Sequence, residues 1–360
     1  MKFDYYNSKI LSNGKTYVLT DPARRRLYFE AKLGSKIDEV KEYLDHNSFV
    51  GYLLAKKQAG KGMYSKMVEE ILGSERFAHI SVGDVVRSFH EKLNKDEDVS
   101  DVLEYLKLNY RGFMSIDESI SALRSRTTDK VSVPAELILT LLKMEIDKIG
   151  KKGLFIDGLP RTLDQISYSL YFRDLINYRD DPDFFVLINI PLELIDIRMK
   201  SRVVCPICQT SRNTKLSPTS ILSYDSSAKQ VKLLCDNSTC SGYGKAQYVI
   251  KEGDASGILS ISERLKTDEE LMQKALNLHG IPKILIESAI PVEVSSDYLE
   301  DYEIQPAYEY EISGEVGKEK VISKTAPLTF KNDSGDDCHT MYAATYVVNI
   351  FDQLHKTLLG

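Results

Sequence analysis

The chain has 360 residues, 42% of them hydrophobic and 28% charged, the profile of a globular chain long enough for one large domain or two smaller ones rather than of a disordered one. A formal net charge of −6 at pH 7 argues against a surface built for nucleic acid, yet leaves room for an anionic small ligand held by a local arginine cluster. No stretch approaches about 18 consecutive apolar residues and residues 1–6 lack the apolar core of a signal peptide, so a cytoplasmic protein without a membrane span is expected.

In chain order, residues 1–46 read as a small unit of their own. Residues 15–19 and 26–30 suggest two strands about a turn at Asp21-Pro22. A helix is expected over 35–44, with Ile37, Val40 and Leu44 at helical spacing and Ser35 as its cap. From Phe49 the pattern becomes strand, glycine turn and helix. Residues 49–54 form a near-continuous apolar run, as a central parallel strand covered on both faces requires. Helices are expected over 64–72 and 137–149, and strands over 78–80, 154–156 and 184–190. This alternation predicts a parallel α/β sheet flanked by helices. Two segments interrupt it: a polar, charge-rich helical stretch after Arg87, and residues 203–250 with paired cysteines. A tyrosine-rich acidic stretch at 298–303 precedes further strands and a last helix over 343–358.

Ala55-Lys56-Lys57-Gln58-Ala59-Gly60-Lys61-Gly62-Met63 follows the first buried strand and opens a helix, the context of a phosphate-binding loop. There, backbone N–H groups at the helix N-terminus would cradle phosphate oxygens while Lys61 bridges the outer phosphates. Four of the five cysteines form two close pairs, Cys205/Cys208 and Cys235/Cys240. Their spacing fits a four-thiolate tetrahedral zinc site, structural because no ligand position stays open. Free reduced thiols are the alternative, and iron is a less fitting metal. Cys338-His339 has no partner pair nearby, which points to a packing role.

Further motifs follow in order: Ser81-Val82-Gly83-Asp84-Val85-Val86-Arg87, Val133-Pro134-Ala135-Glu136, Asp157-Gly158-Leu159-Pro160-Arg161-Thr162, Arg198-Met199-Lys200-Ser201-Arg202, and Glu263-Arg264-Leu265. Together with the loop and the cysteine pairs, over residues 49–265, they resemble the adenylate kinase family of nucleoside monophosphate kinases. The resemblance implies a P-loop NTP hydrolase-like core with two insertions. The expected segments are an extra N-terminal hairpin–helix unit (1–46), core (47–87), a monophosphate-binding insertion (88–133), core (134–202), a zinc lid (203–251), and core completion with a C-terminal extension (252–360).

The implied reaction is Mg-ATP plus AMP giving two ADP, by a monomer. The implied catalytic set is Lys61, Arg87, Arg161, Arg198, Arg202 and Arg264. ATP would lie on Ala59, Gly60, Lys61, Gly62 and Met63 with Arg198 and Arg202. The acceptor would meet Val82, Arg87, Val133, Gly158, Arg161, Gln165, Lys251 and Arg264. Asp84 and Asp157 would anchor waters around Mg²⁺, and the four cysteines would hold structural Zn²⁺. The sequence departs from the family pattern at Ala55 and Gln58, where glycines are expected, at Met63 for threonine and at Lys251 for arginine. The insertion after Arg87 is also long, which leaves acceptor choice open between AMP and CMP, UMP or GMP. The altered loop further admits a nucleotide-binding regulator without turnover.

Overall fold

The computed structural model describes residues 1–125, 133–161, 165–166, 172, 176–178, 180–315 and 319–360; Thr162 and the end of the 88–133 segment lie outside them. The N-terminal region is helical rather than a hairpin with a helix. Asp21 caps α1 (Pro22–Leu33) by accepting the Arg24 N–H, and Pro22 occupies the first turn. What looked like a β-turn dipeptide is a cap followed by proline at the start of a helix. Tyr28, Phe29, Lys32 and Leu33 then fall on one buried face at helical spacing, and residues 15–19 form no strand. The second helix, α2 (Ser35–His46), forms as expected, but Gly34 is its cap and Ser35 its first residue.

The core follows as β1 (Phe49–Ala55), α3 (Lys61–Leu72), β2 (Phe77–Ser81), α4 (Val82–Asn94), α5 (Ser100–Asn109), α6 (Ile116–Arg124), α7 (Ala135–Ile149), β3 (Gly153–Asp157), β4 (Asp183–Asn189) and α8 (Leu192–Lys200). A cysteine-bearing segment holds β5 (Arg202–Val204), β6 (Ser211–Asn213), β7 (Ile221–Asp225), β8 (Gln230–Leu234) and β9 (Val249–Ile250). Then come α9 (Ser262–Leu276), β10 (Lys283–Glu287), β11 (Ile290–Pro291), α10 (Val292–Tyr298), the hairpin β12 (Pro306–Ser313) and β13 (Lys320–Pro327), β14 (Phe330–Lys331), β15 (Asp337–His339) and α11 (Ala343–Leu359).

The central sheet has order β10-β4-β1-β3-β2, with every neighbouring pair parallel. With helices on both faces, this is a P-loop NTP hydrolase-like α/β fold. Strand alternation divides the core in two. Phe49, Leu53, Phe155, Phe184 and Val186 pack with α1, α2, α3 and α11 on one face. Val50, Tyr52, Leu54, Ile156, Phe185 and Leu187 pack with α4, α7 and α9 on the other. Gly51 sits where aromatic rings close over β1; a Cβ there would lie 2.7 Å from the Phe155 ring and 2.8 Å from Phe184. Among the described residues no helix is long and apolar enough to cross a membrane.

The N-terminal helices and the C-terminal extension are locked together by a buried polar cluster. Lys32 Nζ lies 3.1 Å from Glu303 Oε1, and both side chains are sealed from solvent. Ser8 Oγ and Tyr28 Oη donate to the same carboxylate at 2.5 and 2.6 Å, and Lys32 also donates to the Ser8 carbonyl at 2.8 Å. Breaking one partner of such a pair strands the other charge in the interior. Lys32→Met is expected to cost about 3 kcal/mol in urea unfolding, and Lys32→Met with Glu303→Leu less than the sum of the single changes.

Hydrogen bonds also tie the hairpin of the extension to the cysteine-bearing segment. Tyr308 N–H donates to the Lys215 carbonyl at 2.7 Å, Tyr310 Oη to the Thr214 carbonyl at 2.9 Å, and Gln305 Nε2 to the Leu216 carbonyl at 2.9 Å.

Candidate functional site

A cleft of about 950 Å³ opens where the phosphate-loop side of β1 and the ends of β2 and β3 meet the start of α9. This is the carboxyl edge of the sheet, where open α/β folds place ligands. β1 delivers the loop there because its strand is buried throughout and must turn at Ala55. The loop then crosses to Gly60, whose φ of 101° permits the tight entry into α3. Ala59, Gly60, Lys61, Gly62 and Met63 all line the cleft. Lys61 opens α3, its Nζ donating to the Ala55 carbonyl at 2.8 Å and lying 3.6 Å from Asp157 Oδ1. An ammonium ion at a helix N-terminus, among backbone N–H groups, can receive anionic oxygens.

The departures from glycine have distinct outcomes. Ala55 ends the strand without a left-handed backbone, so it carries no strain. Gln58 takes a φ of 69°, a conformation costing a non-glycine residue about 1 kcal/mol. Its amide, turned to satisfy its surroundings, accepts from Arg202 Nη1 at 2.6 Å.

At the other end of the cleft two arginines converge. Arg87 projects from α4, whose first turn is set by Ser81 capping the Asp84 N–H. Arg161 follows β3, its Nε donating to the Gly158 carbonyl at 3.0 Å. A Cβ placed on Gly83 would lie 3.1 Å from Arg161 Nη2 and 3.3 Å from Arg87 Nη1, so both guanidinium groups converge on one small patch beside Gly83. Gly158, with a φ of 89°, lines the same wall. Paired planar cations of this kind match a phosphate group. Arg264, on α9, faces the cleft from the opposite side and is about half exposed, its Nε lying 3.9 Å from Asp268 Oδ2.

The remaining candidates divide. Asp157 lines the cleft beside Lys61. Asp84 is exposed and pairs with Arg87. Val82 and Val133 are buried in the second hydrophobic cluster. Gln165 accepts the Arg161 N–H at 2.8 Å. Arg198 Nη1 donates to the carbonyls of Gln58 and Ala59, both at 3.0 Å, and Arg202 Nη2 to Asp254 Oδ1 at 2.9 Å. Lys251 is exposed in the turn after β9 and lies outside the cleft lining.

The sequence reading missed three charged residues around the loop. Lys56 is buried, its Nζ 2.8 Å from Glu269 Oε2, and Asp268 Oδ2 accepts the Lys57 N–H at 3.0 Å. Burial lifts the Asp268 carboxyl above its ordinary value, against the pull of Arg264 and Lys61. The signal available was an acidic pair, Asp268-Glu269, whose partner Lys57 lies 211 positions away, which no local pattern registers.

Cys205, Cys208, Cys235 and Cys240 bring their four sulfur atoms within 4.8 Å of one another. The Cys205–Cys240 and Cys208–Cys235 separations are 4.0 and 3.7 Å, close to the edge of about 3.8 Å for a tetrahedron with Zn–S bonds of about 2.3 Å. The residues therefore fit zinc. Cys338 is buried in the main core, where burial pushes its thiol up to about 11.

No family model matches the chain. Individual proteins do. Over 173 residues it is 31% identical to the adenylate kinase of Clostridium acetobutylicum, a match covering 47% of this chain and 66% of that protein. It is 29% identical over 153 residues to the adenylate kinase of Thermotoga petrophila, covering 42% and 56%. The match to the adenylate kinase of Clostridium kluyveri is 27% over 169 residues, covering 46% and 64%. The chain thus spans less than two thirds of the length of these curated relatives.

Proposed function

The chain belongs to the adenylate kinase family, and on that premise we propose that it transfers a phosphoryl group reversibly from Mg-ATP to a nucleoside monophosphate, with AMP as the preferred acceptor. The observation that carries this reading is one cleft with a lysine-bearing phosphate loop at one end and the Arg87–Arg161 pair at the other. Phosphoryl transfer asks little covalent chemistry of a protein; positioning and neutralisation of charge supply most of the rate.

In this scheme the loop N–H groups and Lys61 hold the donor phosphates. Arg87 and Arg161 fix the acceptor phosphate, and Arg264 faces the space between them. Bound Mg²⁺ would neutralise oxygens of the donor phosphates, with Asp157 orienting its water ligands. Arg198 holds the loop carbonyls and Arg202 holds Asp254, and both would turn to the nucleotide on closure. The cysteine-bearing segment would act as a zinc-stapled lid that excludes water, so that ATP is not hydrolysed wastefully.

The test is coupled ADP production from Mg-ATP with AMP, CMP, UMP and GMP offered separately to folded, zinc-loaded protein. Turnover with AMP far above the others is the expected result. Preference for another base would move the acceptor assignment. ATP binding without turnover on any acceptor would overturn the kinase reading in favour of a nucleotide-binding regulator, to which the substitutions at Ala55, Gln58 and Met63 already lean.

A further inference from the structure

A phosphate loop must keep its N–H groups converged before the nucleotide arrives, or binding has to supply the ordering. This loop places Gln58, at a φ of 69°, where a glycine would take the same shape without strain. The helices beside it supply external supports. From α8, Arg198 Nη1 holds the carbonyls of Gln58 and Ala59 at 3.0 Å. From α9 come two consecutive carboxylates, Asp268 on the Lys57 N–H at 3.0 Å and Glu269 on the buried Lys56 ammonium at 2.8 Å. Lys56 in turn donates to the Ile190 carbonyl at 3.3 Å, which anchors the loop to the end of β4.

Asp268 differs from the other supports because it does two things at once. It accepts from the loop backbone, and it stands one helical turn from Arg264, with 3.9 Å between Oδ2 and Nε. It also faces the cleft, partly buried. A carboxylate in a phosphate site would ordinarily repel the ligand. Here an N–H and a guanidinium flank it, so it serves the protein's own cations and donors.

We propose that Asp268 is a positioning residue for the donor nucleotide: it pins the Lys57 amide, and with it the phosphate loop, while holding Arg264 at the same cleft. The proposal rests on the reading of this cleft as a nucleotide site. It deepens that reading by naming a residue outside the loop on which the loop's shape depends.

The experiment compares Asp268→Ala with Asp268→Asn, which keeps an acceptor oxygen, in the full zinc-loaded chain. Mg-ATP affinity is measured by calorimetry, and exchange of the Lys57 amide is followed in nucleotide-free protein. Asp268→Ala is expected to weaken ATP binding about tenfold and to speed Lys57 exchange by a similar factor, as loss of a charged hydrogen-bond partner implies. Where turnover is measured, KM for ATP should rise more than kcat falls. Asp268→Asn should stay within about threefold of wild type on both readouts.

Unchanged ATP affinity in folded Asp268→Ala would overturn the proposal. So would tighter ATP binding in both variants, which would show a carboxylate that merely repels nucleotide. Wild-type protein that bound no ATP would sink the nucleotide reading itself. The Lys57 exchange rates would then still decide whether Asp268 holds the loop.

Discussion

Lys61→Ala is expected to lower kcat for phosphoryl transfer by about three orders of magnitude while leaving the fold intact. The size follows from what removing one cation from a phosphoryl-transfer site costs, roughly 10³ to 10⁵ in rate. Lys61 is suited to such a role because its ammonium is half-buried at the mouth of α3, held by the Ala55 carbonyl and close to Asp157. A partly shielded charge acts more strongly on a neighbouring phosphate than one in bulk water. Its polar partners are one carbonyl and one partly exposed carboxylate, so thermal unfolding should barely change. Arg161→Ala is the companion test and should raise KM for the acceptor as well as lower kcat, because Arg161 shares its patch with Arg87. If both variants retained near-full transfer, the catalytic assignment would be wrong at both ends of the cleft.

Removing zinc should have the largest structural effect. The cysteine-bearing segment has almost no core of its own: its buried cluster is Val203, Cys205, Cys235, Cys240 and Tyr248. Apolar burial on that scale does not offset the entropy of ordering a segment of this length. A four-thiolate zinc site contributes about 10–16 kcal/mol in small zinc-folded peptides, enough to decide whether the segment folds. Purified protein should carry one zinc per chain by elemental analysis. Chelation or Cys205→Ser should then open residues 205–250 to protease and reduce transfer at least about tenfold, while the parallel sheet persists. Cleavage should spare Thr214–Leu216, because Gln305, Tyr308 and Tyr310 hold those carbonyls. Full protease protection in metal-free protein would show that the cysteines do not depend on a metal. Visible absorption from iron would correct its identity.

The parts that sequence made legible are those where chemistry is local. β1, β3 and β4 are covered on both faces, so each leaves an unbroken apolar run. The phosphate loop announces itself by a strand before it and a helix after it, and the cysteine pairs by their spacing. Residues 26–30 misled because Arg25 and Lys32 are buried charges within α1. They blur the apolar stripe that would have marked a helix. What makes their burial tolerable lies far away, Glu70 for Arg25 and Glu303 for Lys32. The Asp21-Pro22 pair was a helix-start signal in plain view, but it is also a turn signal, and only the packing of Tyr28 and Phe29 separates the two.

By itself, then, the sequence determined the order of the core elements from β1 to β4, the glycine turn between β1 and α3, the arginines that follow β2 and β3, and the two cysteine pairs, because each depends on neighbours within a few residues. The tertiary structure alone decided which charges meet. It set Arg87 and Arg161 over Gly83, Asp268 and Glu269 against the loop lysines, and Arg198 on the loop carbonyls. It also joined the two terminal segments through Lys32 and Glu303 and set the hairpin against the cysteine-bearing segment. Those contacts span up to hundreds of residues, and electrostatic pairing depends on distance in space, which local periodicity does not encode.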